Sequence, residues 1–106
     1  MIRLAAILIA LIASIATAAA DTAAERKAFA GEFERTLLRR GMSVTVTAEG
    51  REATTLRIMW PAMSKAAAFN LSEAIQEGNR RHDRGFRTVI FTNDDGGLWR
   101  IDMRPN

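Results

Sequence analysis

The sequence predicts an α+β domain: a two-layer sandwich in which tandem αββ-αββ units make a four-stranded antiparallel sheet, covered on one face by two helices. Three observations predict it. Large apolar residues recur at four-residue spacing in one segment and apolar or small residues at helical spacing in another, apolar and polar alternation marks three more and a dense Val89-Ile90-Phe91 run a fourth, and the segments follow the order helix, strand, strand, twice. The domain is assigned to residues 21–106, because residues 1–20 have a different character.

Seventeen of the first 20 residues are apolar. Met1-Ile2-Arg3 gives a short positive start, Leu4 to Ala13 is uninterrupted apolar sequence, and Ala16 to Ala20 is a stretch of small residues ahead of Asp21. This three-part pattern predicts a secretory signal peptide cleaved after Ala20, with Ala18-Ala19-Ala20 as the small-x-small site. An uncleaved anchor is disfavoured, since a span needs at least about 17 apolar residues and the stretch beyond Leu11 is mostly Ala, Ser and Thr. The expected location is the bacterial periplasm or the outside of the cell.

With the leader set aside, 34 of the remaining 86 residues are apolar, against 48% of all 106, and the net charge falls from +3 to +2. A chain of this size holds one domain with a modest core, which excludes a multidomain enzyme. It contains no cysteine, so it has neither a disulfide staple nor a lipid attachment point after the signal. A soluble exported product is expected. Export and a weak positive field both argue against nucleic acid as a partner.

The elements follow in order. From Thr22 to Arg40, Phe29, Phe33 and Leu37 form one face of an amphipathic helix, with Ala30 and Leu38 beside the stripe and Gly41 as its stop. Ser43 to Ala48 alternates Ser43, Thr45 and Thr47 with Val44, Val46 and Ala48 as a half-buried strand. Glu49-Gly50-Arg51-Glu52 reads as a turn into a second strand, where Leu56, Ile58 and Trp60 alternate with Thr55, Arg57 and Met59. Pro61 ends it. Ser64 caps a second helix that presents Ala67, Leu71, Ala74, Ile75 and Gly78 on one face and runs toward Asp83, with Gly85 as its stop. Phe86 to Thr92 is a third strand, Asn93-Asp94-Asp95-Gly96-Gly97 a strong turn signal, and Trp99, Ile101 and Met103 the inward side of a fourth strand. Arg39-Arg40 before Gly41, Arg80 to Arg84 before Gly85, and Leu56-Arg57-Ile58 beside Trp99-Arg100-Ile101 make the two halves a structural pseudo-repeat.

Few of these residues form a reactive set. His82 is the only histidine, and Ser72 lies ten residues earlier on the same helix, about 15 Å away by the helical rise. Ser43 and Ser64 have simpler uses as a strand start and a cap, so no serine triad is expected. One histidine and no cysteine leave no transition-metal set, and no cofactor is implied. The acidic turn Asn93-Asp94-Asp95 lacks the remaining ligands of a calcium loop. Phe69 lies off the second helix stripe and either packs near Met63 at the helix start, the preferred role, or marks a small exposed contact.

Two surfaces remain as binding candidates. Arg80, Arg81, Arg84 and Arg87 would join Arg39 and Arg40 in an arginine-rich rim if both helices run the same way, suited to phosphate or carboxylate. Simple complementation of the helix dipoles by terminal cations is the plainer explanation of the same residues. The second surface is the sheet face away from the helices, carrying Thr45, Thr47, Thr55, Arg57, Met59, Thr88, Ile90, Thr92, Arg100 and Asp102. There Arg57 and Arg100 hold equivalent places and can pair with Asp102 or bind an anionic group, the plainer alternative being a solvated threonine-rich face. The expected function is a non-enzymatic binding module whose partner is another envelope protein or an anionic ligand. Alternatives are a structural or oligomerising envelope protein that pairs through an exposed sheet edge, and, more remotely, a small hydrolase using Glu49, Glu52 and Asp102.

Overall fold

The computed structural model describes residues 21–104; the assigned signal peptide, residues 1–20, lies outside them. Its elements are α1 (Ala23–Arg39), β1 (Thr45–Glu49), β2 (Thr55–Met59), α2 (Lys65–Arg81), β3 (Thr88–Thr92) and β4 (Leu98–Asp102). The predicted α+β order, two helices and four strands, is what the chain adopts.

Local chemistry sets each boundary. Thr22 Oγ1 accepts the Glu25 N–H at 3.1 Å, while the Glu25 carboxylate accepts the Thr22 N–H at 3.0 Å. This capping box satisfies two donors that the first turn leaves without helical partners. The same bonds hold the Glu25 carboxyl below its ordinary range, the Thr22 backbone bond contributing most. At the other end Gly41 takes φ +84°, and the N–H groups of Met42 and Gly41 reach back to the carbonyls of Leu37 and Leu38. These are the two bonds of a Schellman ending, which requires the left-handed backbone that glycine adopts without strain. Ser64 caps α2 as expected, its Oγ accepting the Ala67 N–H at 3.1 Å. In the β3–β4 turn the Asn93 side-chain oxygen accepts the N–H groups of Asp95 and Gly97, and its amide nitrogen donates to the Met63 carbonyl at 2.8 Å. One side chain therefore closes the hairpin and ties it to the segment ahead of α2.

The sheet order is β1-β2-β3-β4. Both outer pairs are antiparallel, but the central pair β2–β3 is parallel, so the sheet is mixed and the all-antiparallel expectation is corrected. The reason is the crossover. The 17-residue helix α2 carries the chain from the end of β2 back along the sheet, so β3 starts at the same end as β2.

One face of the sheet meets both helices. Val46, Leu56, Ile58, Val89 and Phe91 from the strands, Phe29, Phe33 and Leu37 from α1, and Ala67, Leu71 and Ile75 from α2 belong to one buried cluster. Trp60, Trp99, Ile101 and Met103 pack against its margin, as their alternation predicts. Phe33 and Phe91 are among the most deeply buried side chains, and truncating either to alanine should cost about 3–5 kcal/mol. Phe69 is 62% exposed, which corrects the packing role assigned to it. Helical periodicity directs it away from the stripe that Ala67, Leu71 and Ile75 bury.

Candidate functional site

The strand registers arrange the uncovered sheet face in three rows. Glu49, Thr55, Thr88 and Asp102 form the first, Thr47, Arg57, Ile90 and Arg100 the second, and Thr45, Met59, Thr92 and Leu98 the third. Every residue assigned to this face by alternation is found there. Arg57 and Arg100 share the middle row with Ile90 between them, roughly 10 Å apart by two strand spacings. Arg57 Nε meets Glu49 Oε1 at 2.9 Å, and Arg100 Nε meets Asp102 Oδ1 at 3.4 Å. Among the described residues Asp102 forms its ion pair with Arg100 and not with Arg57, which has Glu49 as its own carboxylate. Thr47 and Thr88 donate to Glu49 and Asp102, each at 3.2 Å, and steady those carboxylates. Both arginines engage through Nε, and no hydrogen bond from a described residue reaches their Nη nitrogens. The third row is uncharged and ends at Leu98, which is 60% exposed.

The arginine rim does not assemble. α1 leads into the start of β1 at the end of the sheet that holds Met59, whereas α2 leaves that end and returns to the start of β3, so the two helices run in opposite directions. The α1 C-terminus therefore lies at the sheet end holding Thr45, Met59 and Thr92, and the α2 C-terminus at the end holding Thr88. Arg39 and Arg40 are thus at the opposite end from Arg80, Arg81 and Arg84. Arg80 and Arg81 both lean on Glu77, at 3.2 and 3.8 Å, and are largely exposed. Arg84 points the other way and is only 4% exposed.

Arg84 belongs to a cluster that sequence reasoning missed. Its Nη1 donates to Asp21 Oδ2 at 2.9 Å, and its guanidinium carbon sits 4.4 Å from the centroid of the Phe29 ring. His82 Nε2 lies 3.6 Å from Asp21 Oδ1. Arg26, also buried, donates to three backbone carbonyls: Asp21 at 2.6 Å, Arg84 at 3.1 Å and Glu52 at 2.7 Å. The start of α1, the β1–β2 loop and the α2–β3 connection are therefore tied at one point. A signal for this was present: Arg26 falls on the α1 stripe that continues through Ala30, Phe33 and Leu37, where a charged residue needs buried partners. Arg26 is taken up by backbone carbonyls and Arg84 by Asp21 and the Phe29 ring, an arrangement suited to structure, while His82 Nε2 is buried beside Asp21 with no hydrogen-bond partner among the described residues.

The hydrolase residues are not brought together. Glu49 and Asp102 lie on opposite edge strands, roughly 14 Å apart by three strand spacings. Ser64 is engaged as a cap, and the Ser72 hydroxyl donates to the Phe69 carbonyl at 2.7 Å. Among the described residues, a cavity of about 10 Å³ lined by Phe33, Trp60 and Met63 and another of about 10 Å³ lined by Phe29, Arg84 and Phe86 lie along the core. Each has room for about one water. Among the described residues no group of three or more acidic, His or Cys side chains converges as a metal site, and no helix is long and apolar enough to cross a membrane. No family model, curated protein or solved structure matches the chain.

Proposed function

We propose that the chain is a small exported, non-enzymatic binding module that meets another envelope protein, or an anionic ligand, through its uncovered sheet face. One observation carries this reading. Arg57 and Arg100 stand in one row of an open face, oriented through Nε by Glu49 and Asp102, with their Nη nitrogens directed to neither carboxylate. Such a guanidinium is pre-ordered for a bidentate contact with a carboxylate or phosphate, which lowers the entropy lost on binding. The flanking threonines add hydroxyl donors and acceptors, giving a polar rather than an apolar contact surface.

Recovery of the protein from the cell envelope with its bound partners tests this. Substituting Arg57→Ala and Arg100→Ala together should weaken the partner at least tenfold, while Arg80→Ala with Arg81→Ala leaves it in place. An unchanged partner set in the first variant rejects the sheet face. The export part of the proposal has its own readout, the amino terminus of the recovered chain. It should begin at Asp21, and a product beginning at Met1 rejects cleavage.

A further inference from the structure

The two edges of the sheet are not equally available. At the β1 edge, Glu34 of α1 accepts the outward N–H of Val46 at 2.8 Å, so part of that ladder is already occupied. At the other edge, the bonds Asn93 N–H to Gly97 O and Met103 N–H to Arg87 O fix the parity of the β3–β4 ladder. Trp99, Ile101 and Met103 turn their backbone groups toward β3, and Leu98, Arg100, Asp102 and Arg104 turn theirs outward. Gln76 of α2 takes both outward groups of Arg104, accepting its N–H at 2.9 Å and donating to its carbonyl at 3.2 Å. No hydrogen bond from another described residue reaches the outward groups of Leu98, Arg100 or Asp102.

We propose that this β4 edge pairs antiparallel with β4 of a second copy, about a two-fold axis at Ile101, to make a continuous eight-stranded sheet. Charge selects the register. A two-fold centred on Arg100 sets that arginine against Arg100 of the partner subunit, and one centred on Asp102 sets two carboxylates together; both are unfavourable for residues directly opposite. Centring on Ile101 places Arg100 against Asp102 of the partner subunit, and Asp102 against the partner's Arg100. These residues have outward backbone groups, so each pair exchanges two N–H to carbonyl bonds. On the helix-side face the same axis brings the half-buried Ile101 against its own copy and Trp99 against Met103 of the partner subunit, extending the apolar layer. Gln76, fixed on Arg104, bounds the ladder at both ends. The pairing does not rest on the binding role proposed above, although both involve Arg100 and Asp102, and the cross-linking and sedimentation below read it without any bound partner.

The absence of native cysteine makes the register directly readable. Across a non-hydrogen-bonded antiparallel pair the Cα atoms are about 4.5 Å apart, within the range a disulfide spans. Under mild oxidation, Ile101→Cys should form a covalent dimer at least tenfold faster than Trp99→Cys or Arg100→Cys. Arg100→Asp added to Ile101→Cys should slow that cross-link at least tenfold, and further addition of Asp102→Arg should restore it. Faster cross-linking at position 99 or 100, or a rate indifferent to Arg100→Asp, overturns the register. Sedimentation of the cysteine-free protein supplies the independent arm. Arg100→Pro removes an N–H that β3 does not use, so it should leave the far-UV circular dichroism intact and convert dimer to monomer. A protein that stays monomeric up to millimolar concentration, or a dimer that survives Arg100→Pro, overturns the proposal.

Discussion

Asp21 and Gly85 show how much of this small domain rests on single residues. Asp21 is 6% exposed and faces Arg84 and His82, so Asp21→Ala leaves buried positive charge without its carboxylate. The expected loss is about 3–5 kcal/mol in denaturant unfolding. Gly85 holds φ +92°, and a Cβ there would lie 2.7 Å from Arg26 Nη1. Gly85→Ala should therefore cost more than the 1–2 kcal/mol or so of a left-handed alanine, because Arg26 must also release its carbonyls. Thr22→Ala removes the cap of α1 at a cost of about 1 kcal/mol. It also returns the Glu25 carboxyl toward its ordinary range, which a carbon NMR titration of that side chain would follow. The sign of the linkage is set by the depressed folded value: the contribution is present at neutral pH and is lost as pH falls through the lowered folded pKa. Of these positions only Gly85 stood out in the sequence, as the expected stop of α2, whereas the helix ends at Arg81 with His82 as its C-cap and Gly85 makes the later turn toward β3. Arg84 was read with the exposed arginines because a run of charged residues looks uniformly solvated, whereas Arg84 follows the end of α2 and turns inward over Phe29.

Glu34 illustrates the element scale, since it joins a helix to a strand edge. Glu34→Ala should expose the Val46 N–H and speed its hydrogen exchange at least tenfold, with the β2-facing amides of Thr45 and Thr47 much less affected. The helices, the strands and the face each buries were readable because their periods, 3.6 and 2, are written in the identities of neighbouring residues. Phe29, Phe33 and Leu37, or Val89 and Phe91, could hardly be placed otherwise. Strand direction was not readable in that way. It depends on where α2 returns the chain to the sheet, a choice made by packing between Ala67, Leu71, Ile75 and the whole strand face rather than by any local pattern. The arginine rim failed for the same reason, because it needed the relative direction of two helices. The open face carrying Arg57 and Arg100, by contrast, follows from alternation alone and was placed correctly.

The whole molecule is held as one unit by ties that span its length. Asp21, Arg26, Glu52 and Arg84 connect the beginning of the domain to its middle, and the β2–β3 ladder joins the halves through the centre of the sheet. The two tryptophans report on one half each, Trp60 after β2 and Trp99 in β4. In the variants Trp60→Phe and Trp99→Phe, the remaining tryptophan should therefore give unfolding transitions coincident with circular dichroism of the same variant, as expected of a single cooperative domain. Separated transitions would mean that the halves open independently. The parallel central pair also bears on how the halves are related. Viewed from the helices with β1 pointing up, β2 lies on one side; turned so that β3 points up, β4 lies on the other. The two αββ units are thus of opposite hand, and no rotation superposes one on the other. Their shared element order is a likeness of sequence arrangement without a geometric counterpart, so a chain built from the first half twice over would not close this sheet.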